Sequence, residues 1–186
     1  KLTGWKIDIK SDEEKRKVWA KIIQRRGEIG YPYIIFIDNA NNGKPEVYKD
    51  KNLPIYASNV CSEIRLPSSP EWSFVCCISS INAAFYDDWK DSDLVETMIY
   101  FLDAVMTDFI QKLEAMRDSE DADKRLAFRF MERPYNFAVA NRALGLGVLG
   151  YHTLLQSKGL AFESEEASAI NDELFTLIKD RSYAAS

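Results

Sequence analysis

The 186 residues suffice for one domain with one core, and 46% hydrophobic against 28% charged residues is an ordinary globular mixture. A formal net charge of −5 with no long basic run argues against electrostatic capture of nucleic acid or of an anionic membrane. No apolar stretch reaches the roughly 20 residues of a bilayer span.

Residues Ser11 to Arg26 are expected to form a helix, capped by Ser11 with Glu14 completing a capping box and closed by Gly27 and Gly30. Tyr33-Ile34-Ile35-Phe36-Ile37 is a short apolar run rich in β-branched and aromatic residues, the pattern of a strand buried on both faces. Asp38 to Gly43 reads as a loop, and Pro45 to Pro54 as an irregular connection. Ala57 to Leu66 looks extended until Pro67 and Pro70 break it, and Ser73 to Ile81 is a second strand candidate. Helical periodicity then takes over. One helix is expected from Asp91 or Ser92 to about Arg117, with Leu94, Met98, Phe101, Leu102 and Val105 at three-to-four spacing. Others are expected over Ser119 to Met131, over Tyr135 to Lys158 with Gly159 as its stop, and from Ser164 to the end.

The cysteines are Cys61, Cys76 and Cys77, and the single histidine is His152. An odd count of three does not suggest a disulfide scaffold, so reduced intracellular thiols fit better. Neither a zinc spacing nor a serine–histidine triad is well served by this set. Residues two apart on an extended chain point to one side, so Asn59, Cys61 and Glu63 are expected to share a face. At ~3.3 Å per residue the outer two sit about 6.6 Å from the thiol. A carboxylate can take a proton, an amide can hold a hydroxyl, and a thiol can do redox or radical work. On these residues alone a buried structural cysteine between two exposed polar neighbours is the competing reading.

The surroundings carry a resemblance. Arg25 to Ile34 with Phe36 to Asn41 resembles the approach to the finger loop in ribonucleotide reductase large subunits. Ser58-Asn59-Val60-Cys61-Ser62-Glu63-Ile64 is similar to that family's finger-loop motif, Asn-x-Cys-x-Glu. Ser73 to Asn82 resembles the strand that follows, and Asn141 to Gly150 the family's later glycine-rich helix. The four blocks stand in the family's order and cover essentially the whole chain.

The resemblance implies an α/β fold: a helix-rich fragment of the family's ten-stranded α/β barrel, with a finger loop between two strands. The chain would be one partial domain, with a helix and strand in residues 1–40, the finger loop in 41–66, a strand in 73–82 and outer helices in 91–186. It further implies that Cys61 becomes a thiyl radical that abstracts the 3′ hydrogen of a ribonucleotide. Glu63 would be the general base on the 3′ hydroxyl, and Asn59 would orient the ribose. Cys76 would be the redox-active cysteine and Cys77 an ordinary buried thiol, since strand neighbours point oppositely. The implied substrate is a ribonucleoside diphosphate, in the service of DNA synthesis in the cytoplasm.

No cofactor is expected on this chain. A metal-containing small subunit would supply the radical, an external thiol of thioredoxin or glutaredoxin type the electrons, and nucleotide effectors would bind elsewhere. A cobalamin-dependent enzyme shares the motif. Other implied partners are the remaining large-subunit segments and, through exposed barrel edges, further copies of the chain; nucleic acid and membranes are not expected. The chain begins with Lys1, carries no cysteine upstream of Cys61 to pair with Cys76, and stops within a helical pattern at Ser186. It is therefore expected to be a piece of a longer protein that does not turn over alone. The alternative is a non-catalytic interaction or regulatory module of the same descent.

Four features invite other readings. Gly145-x-Gly147-x-x-Gly150 fits the dinucleotide fingerprint by letter, but helical sequence is expected before it, so small residues on a packed helix are preferred. His152 is expected to be packed or on the surface. Tyr86 to Asp91 reads as a turn with a helix cap rather than a metal site, and Asp118 to Arg125 as a solvated helix end.

Overall fold

Asp12 opens the first helix, α1 (Glu13–Ile29), by accepting the Lys15 N–H at 3.1 Å, and Gly30 closes it at φ 78°. The expected cap, Ser11, lies outside the described residues: the computed structural model describes residues 12–59 and 61–186. The chain divides into two units, one ending at Pro67 and one spanning Ser68–Ser186.

In the first unit the expected strand at Tyr33 to Ile37 does not form. Residues 33–36 carry no ladder, and Ile37–Asn42 is a short helix, α2, in place of the expected loop. An apolar run becomes a strand only when another strand takes its N–H and C=O groups, and among the described residues none does. Tyr33 and Phe36 are exposed. The polar Asp38-Asn39-Ala40-Asn41-Asn42 closes on itself instead. Asn41 then pairs with the backbone of Ile55, donating to its carbonyl at 2.8 Å and accepting its N–H at 2.9 Å. A second short helix, α3 (Glu46–Asp50), occupies the expected irregular connection. Lys44 ties its far end by donating to the Leu53 carbonyl at 3.0 Å.

The second unit is built on two parallel strands, β1 (Cys77–Asn82) and β2 (Leu144–Leu149), in register from Cys77 opposite Leu144 to Asn82 opposite Leu149. A parallel pair needs a long crossover. Here a 3₁₀ turn (Ala83–Phe85), α4 (Tyr86–Trp89), α5 (Leu94–Arg117) and α6 (Ala122–Asn141) supply it. The turn expected at Tyr86 to Asp91 is thus a short helix, and Asp87 in it pairs with Lys158 at 2.7 Å and Lys90 at 3.4 Å. Tyr86 is buried and donates its hydroxyl to Glu173 at 2.8 Å.

The α5 spacing was legible, but its buried stripe is rotated from the expected one. Val95, Ile99, Leu102, Met106 and Leu113 face inward, while Phe101 and Val105 are exposed. Two expected helices, Ser119 to Met131 and Tyr135 to Lys158, are redrawn. The chain runs through Pro134 as one helix, α6, at a cost of about 3 kcal/mol for an interior proline. Burial of Phe128, Phe137 and Ala138 along α6 offsets it. Upstream of β1, Ser73 N–H reaches the Arg133 carbonyl at 3.3 Å and Arg133 donates to the Ser69 carbonyl at 3.2 Å.

The larger correction is the glycine-rich segment, which is the strand β2 and not a helix. Leu144, Leu146 and Val148 alternate with Gly145 and Gly147, a period of two. Arg142, at φ 43°, ends α6 in the left-handed conformation. Its guanidinium grips α5 through the Asp103 carboxylate at 2.6 and 2.9 Å, the Asp103 carbonyl at 3.1 Å and the Thr107 hydroxyl at 2.6 Å. At Gly145 an added Cβ would stand 2.7 Å from the Ile78 side chain, so any larger residue makes Ile78 or the strand shift. Gly150, at φ 72° and hard against the Asn82 amide oxygen, turns the chain from β2 into α7 (Tyr151–Ser157). The last helix, α8 (Glu165–Ala185), starts as expected: Ser164 accepts the Ala167 N–H at 3.1 Å, with Glu165 and Glu166 in the first turn.

The core lies between the sheet and these helices. Ile81, Trp89, Val95, Leu154, Leu174 and Ile178 form its centre, and Cys77, Leu102, Met106 and Ala138 form a second cluster.

Candidate active-site turn and thiols

In the first unit the segment around Cys61 is not the continuous extended chain its alternation suggested. Asn59 folds it. Its side-chain oxygen accepts the Cys61 N–H at 2.9 Å, and its carbonyl accepts the Ser62 N–H at 3.1 Å. The Cys61 carbonyl accepts the Glu63 N–H at 2.7 Å, and Ser62 sits at φ 60°. An asparagine amide competes well for a nearby backbone N–H, and that competition converts an extended stretch into a turn. The expected spacing of about 6.6 Å along one straight face therefore does not apply. Asn59, Cys61 and Glu63 instead share one turn, with Cys61, Ser62 and Glu63 exposed at its tip. Cys61 is thus exposed in this chain, where the competing structural reading has it buried.

Sequence reasoning missed the side chain that closes this turn at its base. The Ser58 hydroxyl donates to the Ile64 carbonyl across six positions at 2.7 Å, and both residues are half-buried. The available signal was a serine directly before the asparagine of an Asx turn. Beside the turn lies an open cleft of about 580 Å³ lined by Ile23, Arg26, Gly27, Gly30, Tyr33 and Ser62. The Tyr31 and Tyr33 rings stand 4.9 Å apart there. Polar interaction with Tyr31, then partial desolvation and the nearby Cys61, hold the Tyr33 phenol above its ordinary range.

Cys76 and Cys77 lie in the second unit and differ in setting. Cys76 is exposed, just before β1. Cys77 is buried at the start of β1, and its thiol donates to the Leu102 carbonyl at 3.4 Å. Burial first and the Asp103 carboxylate second push the Cys77 thiol up. A groove of about 410 Å³ runs along this edge of β1, between residues 75–79 and the exposed side of α5 at Phe101 and Val105.

The glycine pattern builds no phosphate cradle. Gly145 and Gly147 are inside β2 against Ile78 and Ser80, where the dinucleotide fingerprint would need them after the strand. His152 is on the surface of α7, its ring 6.2 Å from that of Phe162. Among the described residues no group of three or more His, Cys, Asp and Glu side chains is arranged to hold a metal ion.

Comparison with known proteins now places the chain. The family described as ribonucleotide reductase, barrel domain, matches residues 4–186. A Frog virus 3 (isolate Goorha) protein named as a ribonucleoside-diphosphate reductase large subunit is 35% identical over 171 residues, covering 92% of this chain and 28% of its own length. The large subunit of Invertebrate iridescent virus 3 is 33% identical over 171 residues, with 91% and 25% covered. The solved class Id ribonucleotide reductase alpha subunit of Actinobacillus ureae superposes with a TM-score of 0.78 at 45% identity, over 95% of this chain and 32% of that one. The chain thus spans a quarter to a third of the length of these relatives. Its helix-rich α/β structure, with two parallel strands, is a fragment of their α/β barrel. The chain belongs to the ribonucleotide reductase family, as part of the barrel domain of the large, catalytic subunit.

Proposed function

We propose that this chain carries the radical thiol of a ribonucleoside-diphosphate reductase and acts within a complete large subunit. The observation that carries the reading is the Cys61 turn: one exposed thiol flanked, within five residues, by an amide and a carboxylate. In this reading a Cys61 thiyl radical takes the 3′ hydrogen atom of the ribose. Glu63 receives the 3′ hydroxyl proton and Asn59 orients the sugar. Water leaves from the 2′ carbon, and two thiols give two electrons and two protons as they become a disulfide. The 3′ hydrogen then returns from Cys61 and the 3′ hydroxyl proton from Glu63. Cys76 is one of the two thiols, in keeping with its exposure beside a buried Cys77; its partner belongs to another part of the subunit. The thiyl radical needs a site closed to stray reductants, and the remaining large-subunit segments would close it.

The relatives' names favour diphosphate substrates and a class I enzyme. The oxidising equivalent would then come from a metal-containing small subunit, external thiols would reduce the disulfide, and effectors would bind outside this chain. The groove along the free edge of β1 is where a further strand, from the rest of the subunit or from another copy, would add. No described helix is long and apolar enough to cross a membrane, and a cytoplasmic location agrees with the role in DNA synthesis.

The test mixes this chain with the missing large-subunit segments and a radical-generating subunit and follows deoxyribonucleotide formation. Turnover that vanishes in Cys61→Ser is the expected result, with the chain inactive alone. An assembled mixture without turnover favours the non-catalytic module.

A further inference from the structure

The Cys61 turn is shaped by hydrogen bonds among Asn59, Cys61, Ser62 and Glu63. Asn59 takes the Cys61 and Ser62 N–H groups, and Cys61 takes that of Glu63. These bonds shape the tip. Beneath it the Ser58 hydroxyl joins the two strands of chain, donating to the Ile64 carbonyl at 2.7 Å. Its length is the usual one for a well-formed hydroxyl-to-carbonyl bond, and its half-buried position partly shelters it from competing water.

Ser62 supplies the reason a clamp matters. It is a non-glycine residue at φ 60°, a backbone state that persists only where surrounding contacts impose it. With the base open, the turn can relax toward the extended chain that the Ala57 to Leu66 alternation otherwise favours. Relaxation would swing Cys61 and Glu63 relative to each other, because the bond between their backbones exists only in the turn.

We propose that Ser58 is a positioning residue of the reductase, whose hydroxyl clamps the base of the finger turn and so fixes Cys61 and Glu63 for hydrogen and proton transfer. The proposal rests on the reductase reading for its catalytic consequence and on geometry alone for the clamp. Ser58 touches no reacting atom. A methyl in place of the hydroxyl frees the Ile64 carbonyl without removing any group that meets substrate.

The test has two arms, with Ser58→Ala and Ser58→Thr in each. In the 186-residue chain, amide hydrogen exchange is followed at Cys61, Ser62 and Glu63, with α1 and β1 amides as internal references. Ser58→Ala should speed exchange at the three turn amides by about five-fold, the weight of one hydrogen bond, and leave the references unchanged. Ser58→Thr, which keeps the hydroxyl, should restore the slow rates. Unchanged turn amides in Ser58→Ala overturn the clamp. In the assembled enzyme, Ser58→Ala should lower kcat by about five-fold with KM nearly constant, because alignment and not binding is lost. An unchanged kcat beside faster exchange overturns the positioning role. Absence of Cys61-dependent turnover in the unsubstituted mixture overturns the reductase reading instead, and the exchange arm still decides the clamp.

Discussion

The two units of this chain are held together by different physics. Residues 68–186 have two apolar clusters, a parallel strand pair and long helices whose buried stripes meet them. In residues 12–67 only Ala40, Ile55 and Pro67 are buried among those described, and α1 buries none of its side chains. Shape there comes from side chains that satisfy backbone groups: Asp12, Asn41, Lys44, Ser58 and Asn59. Apolar burial is non-directional and spread over many contacts. A set of single polar contacts fails locally, one contact at a time. The turn with Cys61 therefore depends on a few named atoms, whereas the strand after Cys76 depends on a core.

That contrast can be broken from the core side first. Leu174 is fully buried, and Leu174→Ala should cost about 2–5 kcal/mol in a chemical-denaturation curve, with the amides of α1 unaffected. Gly145→Val should cost about 1–3 kcal/mol by forcing β1 and β2 apart at Ile78, seen as a lower denaturation midpoint and lost protection at β2. Asn41→Ala leaves the buried Ile55 without its two amide partners. About 1–3 kcal/mol of local stability should be lost, read as faster proteolysis before Pro67 with the second unit still resistant.

The smallest effect is a pH dependence in the core. Burial, then the bond to Glu173, push the Tyr86 phenol up to about 12. A phenol raised in the folded state contributes stability that is complete below its unfolded value near 10 and is lost as pH rises toward 12. Denaturation midpoints should fall between those two values. Tyr86→Phe should flatten the fall; an equally steep fall in that variant would assign it to other groups.

Legibility from sequence followed the same division. The Ser164 cap and the α5 spacing are local signals, and the structure keeps both helices. The Tyr33 to Ile37 run misled because a buried strand is defined by neighbours, which a local pattern does not contain. The Asn141 to Gly150 segment misled for a different reason. Its family resemblance pointed to a helix, while its own alternation of Leu144, Leu146 and Val148 with glycine already spelled a strand. The break expected between Met131 and Tyr135 does not form, because Phe137 and Ala138 beyond Pro134 bury so fully that the helix runs on. Of the candidate site, the triplet Asn59, Cys61 and Glu63 was legible as neighbouring chemistries. Its shape was not, because whether an asparagine binds its own backbone depends on competition that spacing does not reveal.

The corner at Arg142 has a consequence for which sequences this fold can accept. The position asks for a residue content in the left-handed region and also able to reach three acceptors at Asp103 and Thr107. Glycine or asparagine meets the first demand and abandons the second; lysine offers the charge without the planar fork. Substitution there trades one defect for another, so drift at this corner is expected to be slow and to travel with changes at Asp103.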